Sequence, residues 1–213
     1  MERKTAIREL IEAADTYLAR FEGPGLRDVR AGIRRWKDGP MQPVKPARID
    51  ATRFADLALE WMETNGEPDL AGTIKAAMPY LEWGAYDPYP REEIGEKYAT
   101  NHAAASLIGS HGQIGSEDFD LGLFVFAPDM FYRDHHHAAP ELYAPLTGPH
   151  GWRFAPGQPL DWRPAHQPVW NEAWAHHAFK SGPVPFFCIY SWTRDVAIPA
   201  KMIIESDWAD FET

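Results

Sequence analysis

His135 and His137 are separated by one residue in a stretch that reads as extended. Alternation there sends both imidazoles to one face and His136 to the other. Two imidazoles at that spacing can chelate a single divalent ion. Glu141 follows after Ala138, Ala139 and Pro140, residues suited to a tight bend, and Gly148 closes the strand on which the chain returns. His177, on the later segment 174–179, is a candidate fourth ligand. Three neutral imidazoles and one carboxylate suit one divalent transition metal ion per chain, and zinc, iron, manganese, cobalt and nickel all fit that set.

Two tyrosines flank these ligands. Tyr143 stands two residues after Glu141, on the same face of a strand. Tyr132 stands three residues before His135, so alternation sends it to the opposite face unless the strand bends or twists locally. A phenol titrates near ~10, too high for a base at neutral pH. A cation beside it stabilises the phenolate and lowers that value, which makes a tyrosine next to the ion a candidate general base. The other histidines read differently. His136 and His176 are out of register with the ligands, and His102, His111, His150 and His166 read as structural or surface residues, with His166 a pocket neighbour.

These groups have to be held by a scaffold, and the hydrophobic period shows two kinds. Ile7, Leu10, Ile11, Ala14, Tyr17, Leu18 and Phe21 fall at helical spacing over 4–21. Leu26, Val29, Ile33 and Trp36 mark a second helix, Asp50 is the expected N-cap of a third and Asp69 of a fourth. The Pro- and aromatic-rich segment 83–90 connects this helical region, residues 1–98, to a β region, residues 99–213. Short strands are expected at 103–108, 121–126, 130–137, 141–146, 152–154, 168–171, 176–180, 186–193 and 201–205, separated by glycine and proline. The fold class is therefore mainly β, an antiparallel jelly-roll barrel preceded by an N-terminal helical region.

Composition narrows the partners. A net charge of −10 offers no basic stripe for nucleic acid and no attraction to an anionic membrane. No run of apolar residues is long enough to span a bilayer, and the charged first helix is not a signal peptide, so a cytoplasmic protein acting on a small molecule is expected. Cys188 is the single cysteine and reads as a small core residue.

The order H-x-H, three residues, E, six residues, G and a distant H resembles the metal-binding motifs of the cupin superfamily, at His135, His137, Glu141, Gly148 and His177. Asp129 stands where cupins often have glycine, and Glu172 and Trp174 where they often have proline and glycine. With Tyr132, Tyr143, Trp152 and the His177-Ala178 pair added, the chain resembles the cupin-type dimethylsulfoniopropionate (DMSP) lyases and their lyase-like relatives. That resemblance implies a metal held by His135, His137, Glu141 and His177, with Tyr143 as base and Tyr132 orienting substrate or assisting. It implies cleavage of DMSP to acrylate and dimethyl sulfide. The sulfonium should then favour aromatic faces over a carboxylate partner. Trp152, Trp162, Trp174, Phe179, Tyr190 and Trp192 are the candidates for that wall. An iron dioxygenase, a lyase of another small carboxylic acid and a non-catalytic binding cupin are the competing readings. A homodimer is expected from the aromatic surplus and the resemblance.

Overall fold

Apolar residues recurring every three or four positions wind α1 (Arg3–Leu18), with Ile7, Leu10, Ile11, Ala14 and Leu18 fully buried. The computed structural model describes residues 2–212. Gly25, at a φ of 73°, turns the chain into α2 (Leu26–Trp36). A 3-10 turn at Asp50–Thr52 runs into α3 (Arg53–Thr64), and α4 (Pro68–Ala77) packs against both α1 and α3. Neither start is capped by the expected aspartate. Asp50 lies within the 3-10 turn, and Pro68 opens α4 ahead of Asp69, because its fixed φ suits the first helical position. Two short helices, α5 (Arg91–Ile94) and α6 (Glu96–Thr100), complete the helical part. No described helix is long and apolar enough to cross a membrane.

Among the described residues ten strands follow: β1 (His102–Ile108), β2 (Asp120–Phe126), β3 (Phe131–His136), β4 (Glu141–Pro145), β5 (His150–Arg153), β6 (Asp161–Arg163), β7 (Val169–Asn171), β8 (His177–Ser181), β9 (Phe186–Trp192) and β10 (Lys201–Met202). They form two five-stranded antiparallel sheets, β1-β2-β9-β4-β7 and β10-β3-β8-β5-β6, which face each other as a jelly roll. β6 is absent from the sequence expectation because Asp161 and Trp162 are exposed and carry no apolar alternation. Gly148 is needed where it stands, since a Cβ there would lie 2.4 Å from the Ala165 backbone nitrogen.

Period-two alternation sorts the first sheet into two faces. Leu121, Leu123, Val125, Leu142, Ala144 and Ile189 turn outward and share one core with the helices. Phe124, Phe126, Tyr143 and Cys188 turn inward and build a second core with Tyr132, Trp152 and Phe179 of the opposite sheet. The helices thus brace the sheet from behind, and the space between the sheets is left to aromatic and polar side chains.

Candidate metal centre and active site

The antiparallel register sets His135 on β3 directly opposite His177 on β8, with ring centroids 4.1 Å apart. His137 follows the end of β3, and its ring centroid is 4.9 Å from that of His177. Ligating nitrogens of the three rings lie within 4.8 Å of one another, all on buried residues. Each Nδ1 meets a backbone carbonyl: His135 that of Arg133 at 2.7 Å, His137 that of Ala139 at 2.6 Å, and His177 that of Ala175 at 2.9 Å. A carbonyl can only accept, so each Nδ1 carries the proton and each neutral ring turns an Nε2 lone pair inward.

Glu141 opens β4, and its Oε2 lies 3.0 Å from His137 Nε2 and 3.6 Å from His177 Nε2. Its Oε1 accepts the Trp192 Nε1–H at 2.8 Å. In their neutral forms the rings point Nε2 lone pairs at carboxylate lone pairs, an arrangement that needs a positive charge between them, and against burial the Glu141 carboxylate raises His137 above the ordinary imidazole value. His177 Nε2 is moreover buried without a hydrogen-bond partner. The donor set therefore fits a divalent ion. The electrostatics agree. Burial, reinforced by the neighbouring rings, pushes His135 and His177 below the ordinary imidazole value. Burial would raise the Glu141 carboxyl, but His137 and His177 hold it far below the carboxylate range.

The pairing of β3 with β8 is irregular between Tyr132 and His135. That irregularity supplies the local bend that alternation demands, and the Tyr132 ring stacks on His135 at 3.9 Å with planes 17° apart. The Tyr132 hydroxyl meets that of Tyr89 at 2.5 Å. Tyr143 faces inward from β4 with its ring 5.1 Å from Trp152. Burial, then the charge of Glu141, drives the Tyr143 phenol well above its ordinary value, so a cation is required for the phenolate to form.

A small cavity, partly open to solvent, adjoins these groups. His135, His137, Glu141, Tyr132 and Tyr143 form one part of its wall; Tyr86, Asp120, Phe124, Tyr190 and Trp192 form the rest. The six candidate wall aromatics divide. Tyr190 and Trp192 line the cavity. Trp152 and Phe179 are buried behind it, 5.2 Å apart, with the Trp152 Nε1–H held by His150 Nδ1 at 2.7 Å. Trp162 and Trp174 are 50% and 49% exposed and lie outside it. Trp162 sits on the edge strand β6, and Trp174 packs over the outward ring of His136. His166 is no pocket neighbour either; its Nδ1 meets the Tyr17 hydroxyl at 2.8 Å, at the seam of helix and sheet.

Tyr86, Asp120 and Phe124 escape the sequence reading. Phe124 belongs to the expected strand 121–126 and Asp120 extends that strand by one residue, but their nearness to the candidate ligands depends on how strands pair. Tyr86 belongs to the proline-rich connection, and its backbone N–H is fixed by His102 Nε2 at 2.8 Å. Burial lifts the Asp120 carboxyl to about 6 against the hydrogen bonds that stabilise its charge.

The outer side of β3 is clasped by the residues after β10. Asp134, between Arg133 and the ligand His135, is fully buried and accepts hydrogen bonds from Arg153 Nε at 2.9 Å, His176 Nε2 at 2.5 Å and Trp208 Nε1 at 2.8 Å. Arg153 also donates to Asp207 at 2.7 and 2.9 Å. The Ile203 N–H reaches the Asp134 carbonyl at 2.8 Å, and Arg133 meets Glu212 at 2.6 Å.

Comparison with known proteins gives a consistent picture. The family model for DMSP lyase matches residues 29–188, well over half of the chain. The DMSP lyase DddQ of Ruegeria pomeroyi is 24% identical over 161 residues, which is 73% of this chain and 75% of that protein. The crystal structure of that DddQ superposes with a TM-score of 0.68 at 20% identity, over 93% of this chain and 96% of the other. A second crystal structure, described for the DMSP lyases RdDddP and RnDddQII, gives 0.67 at 19% identity, over 95% of this chain and all of the other.

Proposed function

The chain belongs to the DMSP lyase family, and from that membership we propose a metal-dependent lyase that cleaves DMSP to acrylate and dimethyl sulfide with Tyr143 as the base. The observation that carries the mechanism is the inward set of Nε2 lone pairs, with Glu141, on one cavity with Tyr143. A divalent transition ion held by His135, His137, His177 and Glu141 would act as a Lewis acid on the substrate carboxylate and would lower the pKa of the nearby phenol. Zinc, iron, manganese, cobalt and nickel suit these ligands.

The protein's own groups then do the following. The Tyr143 phenolate oxygen takes the proton from the α-carbon. The C–H electron pair becomes the new carbon–carbon double bond, the bond from the β-carbon to sulfur breaks, and its pair leaves with neutral dimethyl sulfide. Tyr132, with its hydroxyl tied to Tyr89, orients the substrate beside His135. Tyr190 and Trp192 offer ring faces to the sulfonium, and Trp152 and Phe179 keep water from the floor behind Tyr143. The proposal carries with it a cytoplasmic enzyme of small-molecule chemistry and a homodimer.

Headspace detection of dimethyl sulfide tests the reading on protein loaded with each metal in turn. Tyr143→Phe should lower release by about 10²–10⁴-fold, the usual worth of a general base, with bound metal unchanged. Full activity in that variant would remove Tyr143 from the base role.

A further inference from the structure

We propose that Asp120 is the counter-charge for the cationic end of the substrate and sets the site's selectivity for onium acids. The inference rests on the lyase reading for the other end of the molecule, the carboxylate.

The register of the first sheet makes the case. Asp120 on β2 pairs with Trp192 on β9, and Trp192 pairs with Glu141 on β4. Paired residues in an antiparallel sheet send their side chains to one face, so these three form a single row across the cavity wall. Two strand spacings of ~4.8 Å separate the two acids by roughly 10 Å along the sheet. Among the described residues lining the cavity, Asp120 and Glu141 are the only acids, and Glu141 is engaged by His137, His177 and Trp192. Asp120 is therefore the acid left for a ligand with a positive charge.

Its surroundings are built for that role. The Ser106 hydroxyl donates to Oδ1 at 2.7 Å, and the Tyr190 hydroxyl reaches Oδ2 at 3.4 Å. Tyr190 lies across Gly122, where a Cβ would come within 2.6 Å of its ring, so the missing side chain lets the ring lean toward β2. The Phe124 and Tyr190 rings meet edge to face at 5.8 Å, and those of Tyr86 and Trp192 at 6.0 Å. Four aromatic rings and one carboxylate on the same cavity combine cation–π attraction with a charge in a poorly solvated site, where Coulomb interaction is stronger than in water. Aromatic rings alone, the expectation from the sequence, are thus joined by an acid. A substrate with a carboxylate at one end and a methylated onium at the other spans the cavity, and an uncharged acid of the same shape loses the second contact.

Calorimetry on zinc-loaded protein tests this with two ligands of one shape, the trimethylammonium analogue of DMSP and its uncharged tert-butyl isostere. Wild type should bind the cation about tenfold or more tightly, and Asp120→Asn should erase that preference while binding the isostere as before. Equal binding of the two by wild type overturns the inference, as does a preference that survives Asp120→Asn. Asp120→Ser is made beside it, so that failure of one variant to fold leaves the other, and the same loss of preference is expected of either. Dimethyl sulfide release by wild type is scored separately: release with an unchanged preference in Asp120→Asn refutes the role of Asp120 alone, and an Asp120-dependent preference without release refutes the lyase reading alone.

Discussion

Trp192 serves the site twice, as a ring on the cavity wall and as the N–H donor that turns Glu141 toward His137 and His177. Trp192→Phe keeps the ring and removes the donor. Metal affinity, measured by competition with a chelator, should fall about 10–100-fold, the usual effect of losing a partner that orients a ligand. His150 supports the same cavity from below through Trp152. Burial lowers its pKa from the usual ~6.5 to about 4. The unfolded chain binds that proton first as the pH falls, so the stability from keeping His150 neutral is complete above ~6.5 and is lost between there and about 4. Denaturant titrations across that window should show the loss, on the order of 3 kcal/mol from this ring, and His150→Asn should flatten it. The residues of the candidate site were those best announced by the sequence. His135, His137, Glu141 and Tyr143 follow from alternation and a bend, whereas Asp120 needs the pairing of β2 with β9, which no local pattern encodes.

At the scale of the elements, two departures from the cupin pattern adopt a backbone that glycine favours. Asp129 and Trp174, where glycine is common, have φ of 51° and 62°, the left-handed region that glycine favours. The Trp174 N–H donates to the His137 carbonyl at 2.7 Å, so that conformation braces a ligand. Aspartate tolerates this region and a β-branched residue does not. Asp129→Gly should therefore be close to neutral in thermal denaturation, and Asp129→Val should cost about 1–2 kcal/mol. The sequence reveals a missing glycine at such positions but not that another residue adopts its backbone. The break between Tyr132 and His135 was visible as a conflict in alternation, and pairing with β8 resolves it. The exposed Trp162 and Trp174 show the limit of reading pocket walls from aromatic content: ring type does not report which face of an edge strand or loop it occupies.

At the scale of the whole molecule, two cores meet at one sheet, and the helical side holds that sheet rigid while the other side carries the site. At β3 the second sheet meets only the short helices, where Arg133 donates to the Glu93 carbonyl at 2.7 Å and the Tyr98 ring lies 4.4 Å from that of Tyr132; further support comes from the buried Asp134–Arg153 pair and the segment that reaches it from beyond β10. Arg153→Met should leave Asp134 charged, buried and short of its main partner, at a cost of about 3–5 kcal/mol, seen as a fall in midpoint in urea. The division into a helical and a strand-rich part was legible from the change of period. The clasp was not, because Asp207 and Trp208 lie in a polar stretch without periodicity.

The clasp also orders events in time. Trp208 is translated long after Asp134, 74 positions along the chain, and well after His177. Chain order places the fastening residues last: β9, which carries Trp192, and then Asp207 and Trp208 all follow His177. The clasp is thus the last set of contacts that β3 can acquire as the chain is made.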